Sequence, residues 1–218
     1  MNRIFAYCIG LTELDLTSWN VNNVTTLEYA FGASSEIGVP SFTTINLSGW
    51  KVTNKCTSFK NMFQNCEHLM YVDVSNWDTS SVTDMGNMFF YCRGLKSLDV
   101  SKWNTSSVTQ MKNMFTECTL TSIDVSNWNV GNVTNMSKMF MNCRSLRHID
   151  VSNWNVGNVT TMETMFQNCS SLTLLDVSKW NVSKVTVMNW LFNGCSSITS
   201  LDVSKWNVSK VTEMNYMF

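Results

Sequence analysis

Two residue types recur at fixed spacing and could do chemistry: a file of carboxylates and a file of thiols. Asp15, Asn46, Asp73, Asp99, Asp124, Asp150, Asp176 and Asp202 follow one another at steps of 31, 27, 26, 25, 26, 26 and 26 residues. Carboxylates held side by side repel unless hydrogen bonds or cations neutralise them. In one reading they accept hydrogen bonds from hydroxyls such as Ser75, Ser101, Ser126, Ser152, Ser178 and Ser204, or from backbone amides, and only hold the chain together. In the other they form a calcium-binding face, which needs oxygens converging from neighbouring copies. Spacing alone does not fix that convergence, so the hydrogen-bonded reading is adopted and no metal is assigned.

The thiols divide in the same way. Cys8, Cys66, Cys92, Cys118, Cys143, Cys169 and Cys195 share one position of the pattern, while Cys56 stands where other copies have Val82, Val108, Val133, Val159, Val185 or Val211. Stacked copies about 4.8 Å apart would bring neighbouring thiols within disulfide reach, but seven cannot all pair. A buried, inert thiol ladder is the better account. Neither His68 nor His148 recurs in register with the thiols, and no CxxC or His-rich spacing is present. These observations assign no catalytic residue, no cofactor and no transition metal, and the chain is not expected to be an enzyme.

What must position these files is a tandem repeat of about 26 residues. The segment IDVSNWNVGNVTNMSKMFMNCRSLRH at 123–148 returns as IDVSNWNVGNVTTMETMFQNCSSLTL from 149. Trp19, Trp50, Trp77, Trp103, Trp128, Trp154, Trp180 and Trp206 each follow the Asp column by four residues. The alternation in Leu98, Asp99, Val100 and Ser101 predicts a short strand with Leu98 and Val100 inside. Met136, Met139, Phe140 and Cys143 lie at i, i+3, i+4 and i+7, which predicts a short helix capped by Thr134 or Asn135. The stretch between them reads as a turn. Asn20, Asn104, Asn129, Asn155, Asn181 and Asn207, with Asp78, are suited to hydrogen-bond the turn backbone of a neighbouring coil.

One such coil cannot bury its apolar side, so the copies stack. The expected architecture is an α/β repeat solenoid, one body over residues 1–218 of about eight coils, each a short parallel strand, a turn and a short helix. Trp, Phe, Met and Cys columns form its core. An inserted surface loop is expected near 35–40, where Ser34 also stands in the place of Cys.

Composition removes other classes. Fifteen Lys and Arg stand against sixteen Asp and Glu, so no charge surplus exists to hold nucleic acid. No stretch approaches the roughly 18 apolar residues of a membrane span, so no membrane insertion is expected, and the first fifteen residues do not read as an export signal. Asn-x-Ser/Thr triplets at Asn23, Asn132 and Asn158 would accept glycans only in a eukaryotic secretory pathway.

The stretch LKSLDVSKWNTSSVTQMKNMFTEC at 95–118 and its counterparts resemble the BspA-like leucine-rich repeat of bacterial and protist surface proteins. The SLDVSxWNxSxVTxMxxMFxxC form is similar to a repeat of unknown function found in mycoplasma surface lipoproteins. The likeness covers essentially the whole chain. It implies a leucine-rich-repeat-like solenoid, an extracellular or cell-surface location, and adhesion or binding to a protein or glycan. Asn46, Lys51 and Ser34 depart from the pattern, all in the first two copies.

Two positions before the Asp column, the residues vary: Glu13, Thr44, Tyr71, Ser97, Ser122, His148, Leu174 and Ser200. This stripe is the candidate binding surface, whereas Asp73, Asp99, Asp124, Asp150, Asp176 and Asp202, Trp77, Trp103, Trp128, Trp154, Trp180 and Trp206, and Cys66, Cys92, Cys118, Cys143, Cys169 and Cys195 are read as structural ladders. Both ends fall mid-repeat. That pattern raises a second expectation, a filament or appendage subunit stacking head to tail on itself.

Overall fold

The computed structural model describes residues 1–34 and 38–218. Its named strands are β1 (Glu13–Asp15) and β2 (Thr44–Asn46), paired in parallel with Glu13 opposite Thr44, Leu14 opposite Ile45 and Asp15 opposite Asn46. Elsewhere parallel pairing survives as single bridges in two files. One carries the variable stripe: Thr44 bridges Tyr71, and further along Ser122 bridges His148 and His148 bridges Leu174. The other runs Thr26, Ser58, Asp84, Gln110, Asn135, Thr161, Val187, Glu213. Each coil therefore lies on the one before it. Beyond the first two coils the expected strand is reduced to these single bridges, and in every coil the Asp or Asn side chain captures the amide two residues on, which turns the chain out of the strand direction at that point.

The expected helix is absent: there is none among the described residues, so the α/β description is corrected. Over 136–143 the amides of Met136, Lys138, Phe140 and Asn142 donate to carbonyls of Thr161, Glu163, Met165 and Gln167 in the next coil. The intervening amides of Met139, Met141 and Cys143 close tight turns three residues back. Lys138 and Asn142 are left-handed, with φ of 61° and 60°, and equivalent pairs recur at Asn61 and Asn65, Asn87 and Tyr91, and Thr164 and Asn168. A helix keeps φ negative and its interior hydrogen bonds to itself. This turn ribbon instead gives half its amides to its neighbour, which binds coil to coil. No capping role arises for Thr134 or Asn135.

Both backbones point i, i+3, i+4 and i+7 the same way, so Met136, Met139, Phe140 and Cys143 are buried as the spacing requires. Phe5, Phe31, Phe63, Phe89, Phe115, Phe140, Phe166, Phe192 and Phe218 form an unbroken stack with neighbouring centroids 5.2 to 6.1 Å apart. Trp103, Trp128, Trp154, Trp180 and Trp206 form a parallel one at 6.2 to 6.5 Å. Trp50 stacks on Trp77, and Phe59, standing where later coils have Met, packs against both Trp77 and Trp103.

The early irregularity is absorbed locally. Ser35, Glu36 and Ile37 of the expected loop lie outside the described residues; beyond them Gly38 is exposed, Pro40 is buried, and Phe42 fills the place of the repeat leucine. At Gly49 a Cβ would sit 1.9 Å from the Thr17 carbonyl oxygen, so the backbones of coils one and two approach too closely there for any side chain. Gly49→Ala is expected to destabilise by roughly 1–3 kcal/mol, while Lys102→Ala at the same repeat position is neutral; paired urea titrations check this.

Candidate interaction face

The stripe residues sit on one open face. Glu13, Thr44, Ser97, Ser122, His148 and Ser200 are exposed, and Tyr71 and Leu174 are 58% and 62% exposed. Parallel pairing holds the backbones of Glu13, Thr44, Tyr71, Ser122, His148 and Leu174, while the stripe side chains form no hydrogen bond or ion pair within the protein among the described residues. A shallow depression runs from Tyr71 past Asp73, Ser97 and Asp99 to Ser122 and Asp124, and continues past Ser126 to His148 and Asp150.

The Asp column borders this depression. In Asp73, Asp99, Asp124, Asp150, Asp176 and Asp202, Oδ1 accepts both the amide and the hydroxyl of the Ser two residues on, the hydroxyl at 2.7 Å in every case. The hydroxyl foremost, then the amide, holds the carboxyls of Asp99, Asp150, Asp176 and Asp202 below the ordinary carboxylate range. Each Asp thus serves its own coil. Among the described residues, no group of three or more His, Cys, Asp or Glu is placed to hold a metal.

The thiols lie on the opposite side of the sheet positions, in the core. Cys66, Cys92, Cys118, Cys143, Cys169 and Cys195 are unpaired, and each Sγ is 3.0 to 3.7 Å from a Phe carbonyl of the preceding coil. Burial pushes these thiols up, Cys143 to about 12 and Cys195 to about 11, which suppresses the thiolate needed for nucleophilic chemistry. The indole N–H of Trp103, Trp128, Trp154, Trp180 and Trp206 likewise donates to the carbonyl of Val74, Val100, Val125, Val151 and Val177 in the preceding coil. Trp77 is buried in the same column.

The Asn column behaves otherwise than the spacing suggests. The Oδ1 atoms of Asn20, Asn104, Asn129, Asn155, Asn181 and Asn207, and of Asp78, accept the amide two residues on in their own coil. A short side chain reaches its own turn more readily than a neighbour's.

Two features escaped the sequence reading. Thr25, Thr57, Thr83, Thr109, Thr134, Thr160, Thr186 and Thr212 form a column without exception. From Thr57 on, both the amide and the hydroxyl of each donate to the carbonyl of the Thr before it. Its constancy was the available signal. The turn-ribbon side also carries cross-coil polar links, in which Arg93 bridges Glu67 and Glu117 while lying over the Tyr91 ring, and Asn142 donates to Glu117. Those residues share no repeat-wide identity, so only folding brings them together. No helix long and apolar enough to cross a membrane occurs among the described residues.

Residues 1–89, 57–173 and 146–218 match a family described as Mycoplasma protein of unknown function, DUF285. Comparison with curated proteins gives no match. The crystal structure of a leucine-rich repeat protein from Bacteroides ovatus ATCC 8483 is similar, with a TM-score of 0.50 at 16% identity, over 81% of this chain and 45% of that one. This likeness concerns the fold, and the chain spans under half the length of that protein.

Proposed function

The chain belongs to the Mycoplasma family of unknown function, DUF285, whose matches together span it end to end, and on that premise we propose a non-catalytic binding module that recognises a protein or glycan through its variable stripe. We read its repeat as the BspA-like form, and its setting as extracellular or at a cell surface, where such a module serves adhesion. The family match and the leucine-rich-repeat likeness support an interaction role. The observation that carries the reading is the contrast between columns. Trp and Thr are constant, Asp and Cys change once each, at Asn46 and Ser34, and these columns are engaged with the coils, whereas the stripe varies from Glu13 to Leu174 and leaves its side chains unengaged.

Fluorescently labelled chain applied to printed glycan and peptide arrays tests it. Tyr71→Ser, His148→Ser and Leu174→Ser combined are expected to weaken the bound signal at least tenfold while circular dichroism and melting stay unchanged, because exposed substitutions rarely matter to stability. Equal binding by the variant, or no binding of the natural chain on either array, removes the stripe as a recognition surface.

A further inference from the structure

Within the stripe, Tyr71 and His148 stand at the two ends of the depression, and Ser97 and Ser122 form the two low levels between them. The repeat is irregular at this place. The stretch from Cys118 to Asp124 is one residue shorter than those from Cys66 to Asp73, Cys92 to Asp99 and Cys143 to Asp150. The file of parallel bridges, present between Thr44 and Tyr71 and again between Ser122 and His148, lapses at Ser97 in the middle of the depression. The floor is polar. The hydroxyls of Ser97 and Ser122 are unengaged, and beside them Asp99 and Asp124 give Oδ1 to Ser101 and Ser126, while each Oδ2 has no partner among the described residues.

Given that the stripe is a recognition surface, we propose that this depression binds a neutral linear oligosaccharide laid along the stack, with one sugar against the Tyr71 ring and the hydroxyls of its neighbours donating to Oδ2 of Asp99 and Asp124. A protein interface has an apolar centre and a polar rim. Here the order is inverted: hydroxyls and carboxylate oxygens lie at the centre, and the Tyr71 ring, 58% exposed, lies at the margin. A protein seated on this floor would bury carboxylate oxygens without partners, which is costly. A sugar has the complementary build, with hydroxyl donors around its edge and a C–H face that lies flat on an aromatic ring.

Register and charge narrow the class further. The acceptor pair of Ser hydroxyl and Asp Oδ2 returns once per coil, about 4.8 Å on, which is close to the length of one pyranose unit. A linear chain of sugars along the stack therefore meets an equivalent pair at each step. Three residues beyond Asp73, Asp124 and Asp150 stand Asn76, Asn127 and Asn153, whereas Asp99, Asp176 and Asp202 have Lys102, Lys179 and Lys205 there. Of the four carboxylates along the depression, only Asp99 has a lysine at that position. The face is net negative, and an anionic sugar is repelled from it.

An array carrying neutral gluco-, manno-, galacto- and N-acetylglucosamine oligosaccharides, uronic-acid oligosaccharides and Lys/Arg-rich peptides tests this with the full chain. At least one neutral series is expected to bind, the uronic acids at least tenfold more weakly, and the neutral signal is expected to persist in about 0.5 M salt, where a basic peptide would be displaced. Asp99→Asn with Asp124→Asn keeps Oδ1 for the chain's own turn, as Asn46 does for the Ser48 amide, but sets a donor in place of the free acceptor; it is expected to weaken sugar binding at least tenfold with melting unchanged. Tyr71→Ala is expected to do the same and Tyr71→Trp to retain binding. Peptide binding without sugar binding, lost in the combined Tyr71, His148 and Leu174 variant, overturns the sugar assignment and leaves the stripe as a recognition surface; no binding at all overturns both. Sugar binding that is unchanged in Asp99→Asn with Asp124→Asn or in Tyr71→Ala, or that favours uronic acids, also overturns the assignment.

Discussion

Raising the pH from 7 to 10 is expected to remove about 10 kcal/mol of stability, comparable to the whole stability of an ordinary domain. The source is the thiol file. Burial holds Cys66, Cys92, Cys118, Cys143 and Cys169 protonated in the folded chain well above the ordinary thiol range, whereas in the unfolded chain they ionise near pH 8.5. Above that value the folded state binds more protons than the unfolded one, so stability falls as pH rises. The contribution is complete below the unfolded thiol value and is lost on the way up to the folded one. At pH 10 each thiol accounts for about 2 kcal/mol. Urea titrations at pH 7, 8.5, 9.3 and 10 check the slope, which Cys118→Ala should reduce by about a fifth. A stability that is flat over this range would mean that the thiols meet solvent in the native state.

Trp128→Ala is expected to cost about 5 kcal/mol, the largest effect of a single side chain. Trp128 is buried between Trp103 and Trp154 at 6.2 and 6.4 Å, with Phe115 at 6.3 Å, and donates to the Val100 carbonyl at 3.1 Å. Truncation opens a cavity that neighbours locked into coils cannot close, and it orphans a buried carbonyl. Trp128→Phe keeps most of the packing and should cost only about 1–2 kcal/mol more than the hydrogen bond itself. Trp206→Ala, in the half-buried outer coil, should cost less than half as much as Trp128→Ala. Equal losses at Trp128 and Trp206 in denaturant titrations would refute a packing energy that accumulates from coil to coil.

The periodicity of Asp, Trp and Cys made coil stacking, and which side chains lie inside, legible before any coordinates. Met136, Met139, Phe140 and Cys143 show the limit. Their spacing identifies a common face, but a helix and a turn ribbon with alternating left-handed residues share that face, so the pattern cannot separate them. Residues such as Lys138 and Thr164 give no hint of positive φ, since neither type favours it. The candidate stripe was legible because variation stands out against constant columns. The Asn column misled because its residues suit two acceptor roles equally well, and only the reach of a short side chain chooses its own turn.

By itself the chain's order of residues determined a 26-residue period, the columns that must be buried and the one that varies, because burial and repetition are properties of residue type and spacing. Tertiary structure decided the rest: the ribbon in place of the helix, the bridges in place of most strands, and the Arg93 clamp across three coils. These depend on where each backbone amide finds its acceptor. In a stack that acceptor lies one coil, some 26 residues, away, a distance over which local propensity carries no information.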